Sequence, residues 1–268
     1  FLSQPTLLLD EDRIQKSLDG LGGDIHVDVY SEIDSTNSYL LRQQNISQIR
    51  LCLAEQQNHG RGRLQRVWSS PFAQNLYYSC AYPFCQEVGQ LAGLSTLVSL
   101  VVVKTLNQFG LKDDLQVKWP NDVLYQGRKI SGILIDLSAE AHGDTLAIIG
   151  IGINVNMMGD VAHITQPWTS MQAILGEYID RNLLCIALTK TLIAHLKDFS
   201  EKGFGYFLKA WSERHCLHEQ SVVVHAGVDR ILGVVKGVDS LGRLLLEDER
   251  GRLLTFCSGE VSIRKVMV

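Results

Sequence analysis

The stretch from Val88 to Phe109 is apolar on nearly every face of a helix, with leucine and valine recurring from Leu91 to Leu106. A helix that is apolar all round has to be covered on every side, which places it inside a large domain. We therefore predict a buried core helix of about six turns that ends at Gly110. The longest apolar runs, such as 97–103, are too short to span a bilayer, so no membrane segment is expected.

The composition limits the classes of protein to which this chain can belong. The 268 residues are 46% hydrophobic and 20% charged, which is typical of a soluble globular chain with one large domain and a small one. The formal net charge of −4 excludes a nucleic-acid-binding polycation, so any basic site must be local. The N-terminus shows no leader with a cleavage-like site, which predicts a cytoplasmic protein.

The cysteines indicate no cross-links. All six are scattered without a Cys-x-x-Cys pair, which predicts free thiols. His215, Cys216 and His218 lie close together, but their spacing matches no common zinc arrangement and no second ligand pair follows. We predict an exposed helix end at this point and no metal ion held by the protein.

The hydrophobic pattern divides the chain near 216–220. Before that point strands alternate with helices, which predicts an α/β domain. After it come short alternating segments separated by Gly and Asp turns, which predict a small antiparallel barrel of four strands. The predicted strands are 25–33, 50–55, 75–82, 115–119, 123–125, 129–137, 147–155, 221–225, 231–238, 241–247 and 253–258, and the predicted helices are 11–18, 38–44, 169–175, 181–202 and a short one from 203 to about 216.

The loop from Gly60 to Ser70 places three arginines, Arg61, Arg63 and Arg66, beside two glycines and between two predicted strands. Backbone N–H groups and guanidinium groups in such a loop can close on an anion. The alternative interpretation is a solvated basic turn or a loose contact with nucleic acid.

Further polar residues lie at the ends of predicted strands and at the start of a predicted helix. Ser35, Thr36 and Asn37 precede a helix, where free N–H groups and hydroxyls suit polar ligand atoms, although an ordinary helix cap would explain one of them. Asn121 and Asp122 follow a short strand that Pro120 stops. Asn154 likewise ends a glycine-containing strand.

Lys129 lies in an otherwise apolar strand, where an unpaired charge is costly to bury, so we expect it to meet an anion. Gly132 in the same strand predicts close approach of another group to the backbone. If the chain joins a carboxylate to a nucleotide, Arg61, Arg63, Arg66 and Lys129 would offset the repulsion between the two anions. A mobile loop would keep water from the reactive acyl phosphate.

Four motifs carry a resemblance to a known family. They are Gly-Arg-Gly-Arg-x-x-Arg-x-Trp at 60–68, Lys-Trp-Pro-Asn-Asp at 118–122, Lys-x-x-Gly-Ile-Leu at 129–134 and Gly-Ile-Gly-Ile-Asn at 150–154. In this order they closely resemble a biotin protein ligase. The resemblance implies an α/β (α+β) catalytic domain over 1–218, with a mixed sheet similar to that of class II aminoacyl-tRNA synthetases. A small SH3-like barrel over 219–268 would follow, and 1–12 would be the remnant of a link to an N-terminal domain.

The family implies a reaction in two steps. Biotin and MgATP give biotinyl-5′-AMP and pyrophosphate, and a specific lysine of a biotin carboxyl carrier protein then attacks the acyl carbon. Biotin, ATP and Mg²⁺ would be substrates, with no tightly bound cofactor. A homodimer is expected, and DNA would be a partner only if a helix-turn-helix domain lay upstream. The alternatives are a biotin-sensing repressor that uses the adenylate as corepressor, and a lipoate ligase.

The resemblance also assigns roles to residues. Lys129 would polarise the carboxylate, Arg63 would hold the intermediate, and Asp122 would orient or deprotonate the incoming lysine. The implied biotin-binding residues are Ser35, Thr36, Asn37, Gln57, Gly60, Arg61, Gly62, Arg63, Lys129 and Gly132, and those for ATP or the adenylate are Arg61, Arg63, Trp68, Asn121, Lys129, Asn154 and Trp168.

One departure from the family lies within the arginine loop. Many members carry Arg-Gly where this chain has Leu64-Gln65, which removes a charge and a flexible position. The departure predicts a loop that is stiffer or that retains the intermediate less tightly.

Overall fold

The computed structural model describes residues 7–21, 23–112, 114–139, 144–159, 164–227, 229–259 and 261–265. Helix α1 (Glu11–Leu18) has its predicted bounds and begins where the Asp10 carboxylate accepts a hydrogen bond from the Arg13 N–H at 2.9 Å. Strand β1 (Ile25–Ile33) and helix α5 (Arg181–Lys202) also have their predicted bounds.

A seven-stranded mixed sheet forms the larger domain, in the order β1-β2-β3-β7-β6-β5-β4. Strands β1 and β2 pair in parallel and the other neighbours are antiparallel, which confirms the predicted mixed sheet. The remaining strands of this sheet are β2 (Ile49–Gln57), β3 (Leu76–Phe84), β4 (Leu115–Lys118), β5 (Asp122–Tyr125), β6 (Arg128–Ala139) and β7 (Thr145–Ile153), and the remaining helices are α2 (Thr36–Leu41), α3 (Leu94–Gln108), α4 (Met171–Leu175) and α6 (Leu208–Ser212).

The core helix is shorter than predicted. Residues 88–91 form a separate 3₁₀ turn, and α3 begins only after Gly93, whose φ of +86° lies in the left-handed region. A Cβ at Gly93 would come within 2.7 Å of the Phe204 side chain, so glycine is needed for both conformation and space. The stretch from Val88 to Gln108 is long and apolar enough to span a bilayer, so the length argument was wrong for it. Its α3 part is instead buried in the core, as predicted.

The C-terminal part is an antiparallel sheet of five strands in the order β11-β10-β9-β8-β12, consistent with a small SH3-like barrel. The prediction of four strands missed the last of them. Val261–Lys265 is short and carries polar residues at alternate positions, so its apolar signal is weak. The strands are β8 (Ser221–Ala226), β9 (Asp229–Val238), β10 (Leu244–Asp248), β11 (Leu253–Phe256) and β12 (Val261–Lys265).

The barrel packs against the larger domain through a turn between β9 and β10. The indole Nε1 of Trp119 donates a hydrogen bond to the Gly242 carbonyl at 2.9 Å, and both groups are buried there. A Cβ at Gly242 would lie 2.7 Å from the Gly93 Cα, so this turn touches the backbone at the start of α3. The barrel is thereby held beside the Lys-Trp-Pro-Asn-Asp motif.

The predicted exposed helix end at His215 is wrong. The residues on either side of His215 pair with strand β4, because Val117 N donates to Arg214 O and Cys216 N donates to Val117 O. The His215 ring is 8% exposed and lies 4.4 Å from the Trp211 ring centroid. Burial lowers the pKa of His215 to about 3. The cysteines form no disulfide, as predicted.

Candidate functional site

A cavity of about 690 Å³ opens between the large sheet, the 60–70 loop, the turn after β4 and strand β12 of the barrel. Its lining is half polar, which suits a ligand with both charged and apolar parts. Nearly all residues predicted for the site line it: Ser35, Thr36, Asn37, Gln57, Arg61, Gly62, Arg63, Trp68, Asn121, Asp122, Lys129, Gly132, Asn154 and Trp168.

Gly60 is the predicted site residue that the structure places outside this lining. Its carbonyl accepts a hydrogen bond from the Trp68 N–H at 2.8 Å, which closes the base of the loop. A Cβ there would lie 2.7 Å from Trp68 O and 2.8 Å from Ser70 Oγ. Gly60 therefore shapes the loop without lining the cavity itself.

The floor of the cavity is a connected polar network. Gln57 Oε1 accepts from both the backbone N–H and the hydroxyl of Thr36, at 3.0 and 3.1 Å, and its Nε2 donates to Ser70 Oγ at 3.2 Å. Ser35 caps α2 by accepting from the Ser38 N–H at 3.4 Å. Helix α2 and the arginine loop are thus tied to the same glutamine.

Ser79 completes this network and was missed by the sequence reasoning. Its hydroxyl is buried and lies 2.7 Å from Thr36 Oγ1 and 2.5 Å from Asn37 Oδ1. The signal for it was a serine within the buried, apolar strand β3, where an unbonded hydroxyl is costly. A hydroxyl bonded to two lining residues sets which of their polar atoms are offered as donors and which as acceptors.

Both polar atoms of the Asn37 amide are hydrogen-bonded to other protein groups. Its Nδ2 donates to Leu134 O at 3.2 Å and to Asp136 Oδ2 at 3.0 Å, while Oδ1 accepts from Ser79. A Cβ at Gly150 would collide with this amide, so the glycine lets α2 approach β7. Asn37 lines the cavity chiefly as a brace for its floor.

Lys129 meets an anion, as its burial predicted. Its Nζ lies 2.6 Å from Asp122 Oδ1, and the two side chains are only 15% and 19% exposed. The same Nζ lies 5.3 Å from the Trp68 ring centroid, within the range of a cation–π contact. The lysine is therefore held by a carboxylate and an aromatic face at one end of the cavity.

Comparison with known proteins relates this chain to one family. A sequence profile of the Biotin/lipoate A/B protein ligase family matches residues 29–156. The Bifunctional ligase/repressor BirA of Salmonella typhimurium is 37% identical over 98% of this chain and 81% of its own length. This chain belongs to the biotin protein ligase family.

Two further members support the assignment. The Biotin--[acetyl-CoA-carboxylase] ligase of Paracoccus denitrificans is 28% identical over 82% of this chain and 93% of its own. A solved structure of biotin protein ligase from Aquifex aeolicus, in complex with biotin and ATP, has a TM-score of 0.78 and 31% identity, covering 90% of this chain and 99% of that one.

In this ligase, Trp68 lies over the two glycines that the motifs place on neighbouring strands. A Cβ at Gly152 would come 2.5 Å from Trp68 Cε2, and one at Gly132 would come 2.9 Å from Cζ3. The residues pair directly across β6 and β7. The prediction that Gly132 allows close approach is confirmed, and the approaching group is the tryptophan of the loop.

Asn154 and Trp168 lie where the loop after β7 returns to β6. Lys129 N donates to Pro167 O and Thr169 N donates to Lys129 O, both at 2.9 Å, which places Trp168 beside the lysine. Asn154 Nδ2 donates to Thr169 O at 3.0 Å. The asparagine therefore holds this loop in place.

Arg63 does not point freely into the cavity. Its guanidinium donates to Val261 O at 2.9 Å and to Ser258 O, and it lies 3.5 Å from Asn121 Oδ1. Burial lowers the pKa of Arg63, although an arginine remains charged at neutral pH. In this structure Arg63 joins the loop of the ligase to the C-terminal barrel.

The departure at 64–65 has a conformational consequence. Leu64 and Gln65 have φ values of 55° and 57°, in the left-handed region where glycine is unstrained. Each costs a side-chain-bearing residue about 1 kcal/mol. Gly62 N donates to Arg66 O at 2.7 Å across this tight turn, which holds both residues in that conformation.

Two further cations line the cavity without having been predicted for it. Lys118 precedes the Trp-Pro-Asn-Asp turn, and Arg264 lies on the missed strand β12. The positive charge of the site therefore comes from the barrel as well as from the catalytic domain. Within the described ranges, no group of three His, Cys, Asp or Glu side chains is arranged to hold a metal ion.

Proposed function

We propose that this chain activates biotin with ATP and transfers it to a lysine of a carrier protein. The observation that carries the proposal is the convergence of Arg61, Lys129 and Trp68 on one cavity that Ser35, Thr36, Asn37 and Gln57 also line, with Ser79 hydrogen-bonded behind them. Cations suit the two anionic groups that react, and the floor offers the donors and acceptors that a ureido ring requires.

The chemistry proceeds in two displacements. A carboxylate oxygen of biotin attacks the α-phosphorus of ATP, so that a new P–O bond forms and pyrophosphate leaves. The lysine amine of the carrier then attacks the acyl carbon, a C–N bond forms, and AMP leaves with the electron pair of the broken C–O bond. Holding both substrates in one cavity supplies the alignment on which such steps depend.

Lys129 is assigned to the carboxylate and acyl phosphate oxygens. Its pairing with Asp122 at 2.6 Å holds the ammonium group in place inside the cavity. When the lysine turns to the substrate, Asp122 is released to orient the amine of the carrier lysine. Arg63 is assigned to retention of the intermediate. Its hydrogen bond to Val261 O joins it to the barrel.

Mg²⁺ enters with ATP and neutralises phosphate charge when bound. The oxygen ligands that these motifs offer it are Asn121 Oδ1 and the Asp122 carboxylate, and the latter is already paired with Lys129. This donor set fits an ion held chiefly by the nucleotide. Trp68 and Trp168 are assigned to the apolar surfaces of the adenylate.

The partner is a carrier domain of a biotin-dependent carboxylase, in keeping with the Paracoccus relative, which is named for acetyl-CoA carboxylase. Lipoate ligation is disfavoured because several relatives are named as biotin ligases. The homodimer, the cytoplasmic location and the repressor activity that the BirA name includes stay predictions.

Transfer to a carrier tests this proposal. The purified chain is incubated with labelled biotin, MgATP and a carrier domain, with a carrier in which the target lysine is arginine as the matched control. We expect label on the lysine-containing carrier alone, with lipoate and octanoate failing to compete. Labelling from lipoate at an equal rate, or none from biotin, would refute the assignment.

A further inference from the structure

Beside the cavity, one carboxylate links the arginine loop to helix α2. Asp136 Oδ2 accepts a hydrogen bond from Asn37 Nδ2 at 3.0 Å and lies 3.7 Å from Arg61 Nη2. We infer that Asp136 is a positioning residue, which orients Arg61 toward the carboxylate of the substrate and fixes the amide of Asn37. The inference rests on the proposed function, because it takes biotin as that substrate.

Asp136 lies on β6 on the same face as Gly132 and Leu134, since side chains alternate along a strand. Its Cα is about 13 Å from that of Gly132 along the strand. Gly132 and Leu134 line the cavity, whereas Asp136 does not. Asp136 therefore supports two residues that do line the cavity, Arg61 and Asn37, from outside it.

The contact with Arg61 leaves most of the guanidinium donors available. At 3.7 Å it is an ion pair without a hydrogen bond, and each side chain is 29% exposed. Arg61 Nε is buried and has no hydrogen-bond partner among the described residues. A ligand carboxylate would complete the hydrogen bonding of an arginine that Asp136 already holds in place.

The contact with Asn37 decides which way its amide faces. If the amide were reversed, its oxygen would face both the Leu134 carbonyl and the Asp136 carboxylate, which are acceptors. With Nδ2 on that side, Oδ1 faces Ser79, whose hydroxyl adjoins Thr36. Asp136 thus sets the donor and acceptor pattern of the floor as well as the position of Arg61.

Two effects of the Asp136 charge on biotin binding oppose one another. The negative charge repels a substrate carboxylate, but it also restrains a long side chain that would otherwise lose rotamer freedom on binding. The restraint outweighs the repulsion, because Arg61 lines the cavity and the guanidinium charge screens the carboxylate outside it. Loss of the Asp136 charge should therefore weaken biotin binding.

The test compares a charged ligand with a neutral one of the same ring system. Asp136→Asn keeps an oxygen that accepts from Asn37 but removes the charge that restrains Arg61. Calorimetry on the full chain should show biotin binding weakened about tenfold, as for a charge-assisted contact, with biotin methyl ester changed by less than about twofold. Asp136→Glu should restore part of the biotin affinity. Asp198→Asn, which removes the exposed partner of Lys202, is the matched control and should change neither ligand.

The possible outcomes separate the explanations. Equal weakening of biotin and its ester would make Asp136 a purely structural residue and overturn the inference. Tighter biotin binding would show that repulsion dominates, and unchanged binding would remove the role altogether. Failure of the unmodified chain to bind biotin would instead overturn the proposed function. Thermal unfolding of each variant checks that the fold is kept, and Asp136→Glu supplies a second reading if Asp136→Asn is unstable.

Discussion

Lys129 Nζ and Asp122 Oδ1 lie 2.6 Å apart inside the cavity, with most of both side chains buried. The pair comes from the two strands of one hairpin, since Asp122 is opposite Gly132 in the register of β5 and β6. Removing either partner of a buried charge pair is strongly destabilising, because the other charge is then buried without a counter-charge. The pair places a charged lysine where two anions must meet.

Removal of that lysine should abolish the first half-reaction. Lys129→Ala leaves the Asp122 carboxylate unpaired and repulsive to both substrates. We expect biotin-dependent pyrophosphate release to fall by about 100-fold to 1000-fold, the usual loss for a preorganised charge. Lys104→Ala, which removes a lysine paired with His195 on another surface, should retain the rate. An unchanged rate in Lys129→Ala would rule out its assigned role.

Arg63 should control escape of the intermediate. Arg63→Gly removes the hydrogen bonds to Val261 O and Ser258 O, so the loop loses its tie to the barrel. We expect faster release of biotinyl-AMP and labelling of lysines on bystander proteins, measured by filter assay and mass spectrometry. Arg66→Gly, from an exposed position of the same loop, should leak less. Tight retention by Arg63→Gly would contradict this account.

Gly152 should be intolerant of any side chain. A methyl group there would lie 2.5 Å from Trp68, so Gly152→Ala must displace the indole from the sheet. Overpacking of this kind costs about 1–3 kcal/mol, and we expect the KM for ATP to rise about tenfold or more. Gly89→Ala introduces a methyl group with nothing within 4 Å and is the matched control. Equal KM values for the two variants would show that Trp68 does not act on ATP.

His215 should make the fold sensitive to acid. Burial lowers its folded-state pKa to about 3, below the value near 6.5 in an unfolded chain, so the unfolded state binds a proton first as pH falls. The free energy of unfolding should therefore be about 2 kcal/mol lower at pH 5 than at pH 7 from this group alone. His215→Phe keeps the ring against Trp211 and should remove that part of the slope, as measured by urea unfolding. An identical slope in the variant would exclude His215 as its source.

The sequence predicted the elements whose signals are local. The bounds of α1 and β1 and the four motifs each depend on a short run of residues, and the structure has them where expected. The break at Gly93 could not be predicted, because it is set by contact with Phe204 more than a hundred residues away. Strand β12 was missed because its apolar pattern is weak without its partner β8.

The residues of the site also divide into those with a local sequence signal and those that depend on distant contacts. Lys129 was correctly predicted to meet an anion, since burial of a lone charge is costly wherever the partner lies. The roles of Ser79 and Asp136 depend on which strands become neighbours, and the sequence does not state that register. The direction of Arg63 depends on the barrel, whose carbonyls accept its hydrogen bonds.

The central claim is that this cavity makes an adenylate from biotin. The direct test omits the carrier and mixes the chain with biotin and MgATP, following pyrophosphate and nucleotide products through a single turnover. The account predicts one pyrophosphate and one biotinyl-AMP per active site, with neither formed when lipoate replaces biotin. Release of pyrophosphate without biotin, or of ADP and phosphate in its place, would contradict it.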